Sequence, residues 1–139
     1  MSFLLDTNAI SEWVNPRPDP GVMHWTSSTD EDLIFISVIS LAELRDGAER
    51  LPPGKRRQGL EEWLREELPV RFEGRILPID AGIADAWGRV VAKSRAIGRS
   101  MGIMDAFLAA TAEIHQLTLV TRNVSDFPLL KAVLNPWAQ

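Results

Sequence analysis

The sequence predicts an α/β fold: a mainly parallel central sheet of four to five strands with helices on both faces. Three observations carry the prediction. Short apolar, often β-branched runs at residues 2–5, 33–36, 75–79, 117–121 and 132–134 read as buried strands. Segments with helical spacing alternate with them, the order expected of a parallel sheet wound on both sides. The 139 residues contain no internal repeat and no low-complexity tract, so 1–139 is expected to be a single domain.

Residues 2–5 open the sheet and stop at Asp6-Thr7-Asn8. A helix over 9–14 follows, ended by Asn15-Pro16-Arg17-Pro18, where closely spaced prolines stiffen the connection. Val22 and Trp25 mark a second short helix over 21–29, and Asp30-Glu31-Asp32 is a solvated turn. After the strand at 33–36, Ser37 is placed to N-cap a helix running to about residue 49. Pro52-Pro53-Gly54 breaks the chain. The helix over 55–68 carries Leu60, Trp63, Leu64 and Leu68 on one face. Asp80 caps the helix after the strand at 75–79, with an apolar stripe of Ile83, Ala84, Trp87, Val90 and Val91.

The loop at 98–102 leads into the stretch on which the rest depends. Met104, Phe107, Leu108, Thr111 and Ile114 recur at helical spacing and predict a core face. Asp105 shares a neighbouring stripe with Ala109 and Ala112, which let other groups approach. The strand at 117–121 follows, then a turn of helix near 128–130 and a last strand at 132–134.

Composition removes several classes. A 45% hydrophobic content supports a packed core and excludes intrinsic disorder. With 0 cysteines there is no disulfide, no thiolate nucleophile and no zinc finger, which suits a reducing cytoplasm. No run reaches the roughly 18 apolar residues of a membrane span, and the opening MSFLLD is not expected to act as a signal peptide. The net charge of -4 argues against simple electrostatic binding of nucleic acid. Carboxylates that hold divalent cations reverse that argument locally, because the loaded site is a positive centre.

Four acidic residues stand out by position. Asp6 follows the first strand, Glu43 lies on the helix after the second, Asp105 opens the long helix, and Asp126 follows the fourth strand. In a parallel sheet all four reach one end, where open α/β sheets place their chemistry. Four carboxylates repel unless cations neutralise them, and hard cations such as Mg²⁺ take oxygen ligands. This is equipment for metal-assisted phosphodiester hydrolysis. Each residue also has a plain structural reading: Asp6 as an N-cap, Glu43 in a Ser40-x-x-Glu43 capping box, Asp105 as a charge at a helix start, Asp126 as a turn residue. Thr121, Asn123, Asn8 and Ser37 are candidates to hydrogen-bond the acids or their waters. Arg89, Lys93, Arg99 and Arg122, with Arg95 and Lys55-Arg56-Arg57, are candidates for gripping a phosphate backbone, against the alternative of a solvated helix face. Trp13, of the five tryptophans, is the freest for an interface. His24 and His115 are far from the acidic motifs in sequence, which disfavours a histidine general base.

LLDTNAIS, SVISLAEL, GIMDAFLAATA, LVTRNVSDF and a closing LNPW together resemble the PIN-domain family, and within it the VapC toxins of type II toxin–antitoxin pairs, the FitB-like branch especially. The resemblance spans almost the whole chain. It implies a PIN fold and a Mg²⁺- or Mn²⁺-dependent endoribonuclease. It assigns the family's first three acidic positions to Asp6, Glu43 and Asp105, and its hydroxyl after the strand to Thr121. For the fourth acidic position Asn123 stands in the first slot and Asp126 is the choice. The glycine expected between the DF and NPW motifs is absent. The resemblance further implies a homodimer, a cognate small VapB-like antitoxin as partner, and a heterotetramer or larger complex with it.

Two other classes remain to be weighed. An aspartyl phosphotransferase would want a second acid two residues after Asp6, where Asn8 stands. A catalytically inactive protein-interaction module on the PIN scaffold is disfavoured by the retained carboxylates.

Overall fold

The structure, a computed structural model, describes residues 1–138. Its five strands are β1 (Phe3–Leu5), β2 (Ile34–Ser37), β3 (Ile76–Leu77), β4 (Thr118–Val120) and β5 (Val133–Leu134). All pair in parallel, in the order β3-β2-β1-β4-β5. The chain steps outward from β1 through β2 to β3, then returns to the other side of β1. The direction therefore reverses between β1 and β4, and the crevice beyond their carboxyl ends is where such sheets bind ligands.

Alternation along β1 divides the interior in two. Phe3 and Leu5 enter one core, with Ile10 of α1 (Thr7–Glu12), Val22 of α2 (Pro20–Ser28), Leu44 of α3 (Val38–Arg50), Trp63 just after α4 (Lys55–Glu62), Leu68 of α5 (Leu68–Arg71) and Phe72 just after it. Leu4 enters the other, beneath α6 (Ala81–Ala96) and α7 (Ile103–His115). Helices on both faces and a parallel sheet agree with the expected class.

Local chemistry sets the helix ends. Ser37 Oγ accepts from Ile39 N at 3.0 Å and starts α3, so Ser40 and Glu43 form no capping box. Asp80 Oδ1 accepts from Ile83 N at 2.9 Å and starts α6. Asp19 caps α2 and also accepts from Ala138 N at 2.9 Å, which pins the NPW tail against α2. Gly21 is required at that junction, since a Cβ there would lie 2.4 Å from the Pro136 carbonyl.

Five expectations need correction. First, α7 does not bury its large apolar residues as a stripe: Met104 and Ile114 are exposed, and the buried set is Ala106, Leu108, Ala109, Ala110, Thr111 and Ala112. The helix lies against both α6 and the sheet, and small side chains permit that approach. On α6, Ala84 is likewise exposed, with Ala86 and Ser94 facing inward instead. Second, the helix at 55–68 is unbroken but not regular, and it runs on past residue 68. It widens into a π turn over Trp63–Glu67 and resumes to Arg71. Pro69 lacks an N–H and crowds the carbonyl four residues back, which accounts for the irregularity. Third, β3 is only two residues, because Pro78 cannot donate to a ladder. Fourth, the late helical turn is at Val124–Asp126, not 128–130. Fifth, Trp13 is not free for an interface: it stacks on Phe72 at 5.3 Å, and the Arg71 guanidinium sits 4.2 Å over its ring.

Candidate active site

The crevice between β1 and β4 holds a buried carboxylate. Asp6, immediately after β1, is 7% exposed. Its Oδ1 accepts from Thr7 N at 2.6 Å and its Oδ2 from Thr121 Oγ1 at 2.7 Å. Thr121 is fully buried at the end of β4, so this bond joins the two strands at the reversal point. Asn8 Nδ2 lies 3.4 Å from both Asp6 Oδ2 and Thr121 Oγ1, and Asn123 N donates to Thr121 Oγ1 at 3.0 Å. Burial pushes the Asp6 carboxyl above its usual value, and the charge of Asp126 pushes the same way, while Thr121, Thr7 and Asn8 oppose them. Asp6 is therefore both the N-cap of α1 and a member of the acidic group; the two readings coexist.

Glu43 reaches the same place from the second turn of α3, half-buried. Thr7 Oγ1 donates to Glu43 Oε1 at 2.7 Å. Thr7 is the residue that sequence reasoning passed over. Its partner is 36 positions away, and no local pattern announces the pairing. Ser37, by contrast, is fully buried and serves the start of α3 rather than the acids.

Asp105 lies in the first turn of α7, where the helix dipole favours a negative charge. Its pKa is nonetheless pushed up to about 6, first by desolvation and then by the charges of Asp6, Asp126 and Glu43. The other three predicted carboxylates thus lie within electrostatic reach of Asp105, and Asp126 acts on Asp6 as well. Asp126 is exposed in its turn and shares with Asp105 a small polar cleft of about 140 Å³.

Arg99 lines that cleft too. Gly98, at a left-handed φ of 73°, ends α6, and the Ser94 hydroxyl bonds the Arg99 carbonyl. The Arg99 guanidinium donates to the Ser125 carbonyl at 3.0 Å, tying the approach to α7 to the turn bearing Asp126. Arg122 follows Thr121 directly, with its guanidinium 6.0 Å from the Trp137 ring. Arg89 pairs with Asp85 one turn back on α6, the solvated-face arrangement, and Lys93 lies exposed a turn further on. His115 ends α7 at the opposite edge from Asp105.

The donor set fits a hard divalent cation: carboxylate oxygens from four separate elements, two of them held by hydroxyls. Among the described residues no group of three acidic or histidine side chains is already placed to hold a metal ion. Mg²⁺ does not need one, since it keeps several waters and takes one or two direct carboxylates.

With the site described, the chain can be placed among known proteins. A family model for the PIN domain matches residues 3–128, and the chain belongs to the PIN-domain family. It is 38% identical over 136 residues to the toxin FitB of Neisseria gonorrhoeae, covering 97% of this chain and 98% of that protein. It is 34% identical over 136 residues to the VapC ribonuclease Y4jK of Sinorhizobium fredii, covering 97% of each. The crystal structure of FitAcB from Neisseria gonorrhoeae superposes with a TM-score of 0.90 at 37% identity, covering 99% of both chains.

Proposed function

We propose that this protein is a Mg²⁺- or Mn²⁺-dependent endoribonuclease and the toxin of a type II toxin–antitoxin pair. The observation that carries the reading is the placement of the four acids at the carboxyl end of the sheet: Thr7 bonds both Asp6 and Glu43, and Asp105 and Asp126 line one polar cleft. Like charges are gathered there at an electrostatic cost that a bound cation removes. The similarity to a toxin and to a VapC ribonuclease over nearly the whole chain supports the same reading.

In this mechanism Asp6, Glu43, Asp105 and Asp126 would hold the cation. When bound, the ion supplies Lewis acidity and a water of lowered pKa. Hydrolysis of RNA adds the elements of water across one P–O ester bond, leaving a phosphate on one fragment and a hydroxyl on the other. Thr121 holds the Asp6 carboxylate in one orientation, and Asn8 and Asn123 close the polar ring around it. Arg99, beside Asp105 and Asp126, is best placed of the basic residues to meet a phosphate; Arg122 lies on the β4 side. The partners are a second copy of the chain and a small VapB-like antitoxin, in a heterotetramer or larger assembly, and the cytoplasm is the compartment. Among the described residues no helix is long and apolar enough to cross a membrane.

The test is cleavage of a structured RNA by purified protein in Mg²⁺ or Mn²⁺, with chelator as control. Metal-dependent cleavage that disappears in Asp6→Asn and Asp105→Asn is the expected result. Equal cleavage by wild type and both variants would remove these residues from the chemistry.

A further inference from the structure

Thr7 directs each of its two hydrogen-bond donors at a different carboxylate of the site. Its amide donates to Asp6 Oδ1 at 2.6 Å, and its hydroxyl donates to Glu43 Oε1 at 2.7 Å. Ser40 Oγ lies 3.1 Å from the same Thr7 oxygen. A hydroxyl has one hydrogen. If it points at the Glu43 carboxylate, the stronger acceptor, Ser40 must be the donor to Thr7. The proton order is then set: Ser40 to Thr7 to Glu43. Ser40 is fully buried, one helical turn before Glu43 on α3, so the relay starts from a fixed point.

This geometry matters because the two carboxylates arrive on different elements. Asp6 is locked by Thr7 on one oxygen and Thr121 on the other. Glu43 has a longer side chain with three torsions, is half-buried, and among the described residues takes no hydrogen bond or ion pair other than the one from Thr7. Its placement relative to Asp6 therefore depends on one hydroxyl. Groups that orient a metal-binding carboxylate without touching the ion affect its affinity strongly.

We propose that Thr7 is a positioning residue that sets the separation of Asp6 and Glu43, so that both present oxygen to one divalent cation. The proposal rests on the metal-dependent reading above. Thr7→Val keeps the branched shape and the backbone amide and removes only the hydroxyl. It is expected to weaken Mn²⁺ binding, measured by calorimetry on the RNA-free protein, by about 10- to 100-fold. Thr7→Ser, which restores the hydroxyl, is expected to bind within a few-fold of wild type, and Thr7→Ala to behave like Thr7→Val. Cleavage by Thr7→Val should recover toward the wild-type rate at saturating Mn²⁺, with KM for RNA unchanged. Melting curves of all three confirm that folded protein is being compared.

The outcomes separate cleanly. Wild-type affinity in folded Thr7→Val overturns the positioning role and leaves the nuclease reading standing. Weak binding in Thr7→Ser as well as Thr7→Val shows that the hydroxyl does not by itself restore the site, which also overturns the positioning role. Absence of Mn²⁺ binding in the wild type brings down the metal-dependent reading, and this inference with it.

Discussion

The two ends of the parallel sheet are built from different chemistry. At the carboxyl end, Asp6, Glu43, Asp105 and Asp126 gather with the hydroxyls of Thr7 and Thr121. At the amino end, Met1, Phe35, Leu77, His115 and Leu117 line a cleft into which, among the described residues, no carboxylate projects. One helix joins the two. Asp105 is in the first turn of α7 and His115 in its last, roughly 15 Å apart at 1.5 Å per residue. In a parallel α/β fold every strand's carboxyl end faces the start of a helix. Acids collect there because helix N-termini offer unpaired amides and a positive dipole end. Asp6 at the N-cap of α1 and Asp105 in the first turn of α7 use that field directly. The amino end carries the opposite helix poles and is poorly suited to hold anions.

The comparison is broken most severely by the acids themselves. Asp6→Asn and Asp105→Asn should each reduce RNA cleavage to background, while His115→Ala at the other end should leave the rate unchanged, as read by single-turnover assays. Asn remains a good N-cap, so Asp6→Asn should still fold. A smaller effect is expected from Thr121→Val, which keeps the buried shape and removes the bond to Asp6 Oδ2. Its cleavage rate should fall by about 10- to 100-fold.

The third test concerns pH. The folded-state pKa of Asp105 is about 6, against an ordinary carboxyl value of 3.8, so the folded state binds this proton more tightly. Stability from this group is therefore greatest below about pH 4 and is lost as pH rises to about 6. In metal-free protein Asp105→Asn should flatten that slope and melt above wild type at pH 7, and added Mg²⁺ should raise only the wild-type transition. Identical pH slopes of the melting temperature between pH 4 and 6 in wild type and Asp105→Asn would contradict the crowding of charges. The smallest effect belongs to the amino end. Gln116 ends α7 at a left-handed φ of 54°, where a side chain is crowded. Gln116→Gly should raise stability by about 1 kcal/mol or less in urea unfolding, since the loss of strain is partly offset by the flexibility of glycine in the unfolded chain. Cleavage should not change.

Much of the architecture was legible in the residues. The order of strands and helices follows from apolar runs alternating with helical spacing, and the caps at Ser37 and Asp80 follow from side chains that act on amides two or three residues away. Local interactions of that range leave local patterns. The misreadings had non-local causes. Met104 and Ile114 look like core residues by spacing, yet the alanines of α7 are buried because two neighbours press on that helix. Trp13 looks unassigned in its own segment, yet Phe72 and Arg71 enclose it from elsewhere in the chain. Arg89 looks available for phosphate until Asp85 is seen to engage it.

The amino-acid sequence alone determined the class of fold, the polarity of the sheet and the candidate acids, because periodicity, capping and strand-end position are written in neighbouring residues. Only the tertiary structure decided how those acids are held. Thr7 meets Glu43 across 36 positions, Thr121 meets Asp6 across 115, and Arg99 reaches the Ser125 carbonyl across 26. Hydrogen bonds of this kind depend on distances of a few ångströms between elements, which arise only when the two cores pack against the sheet.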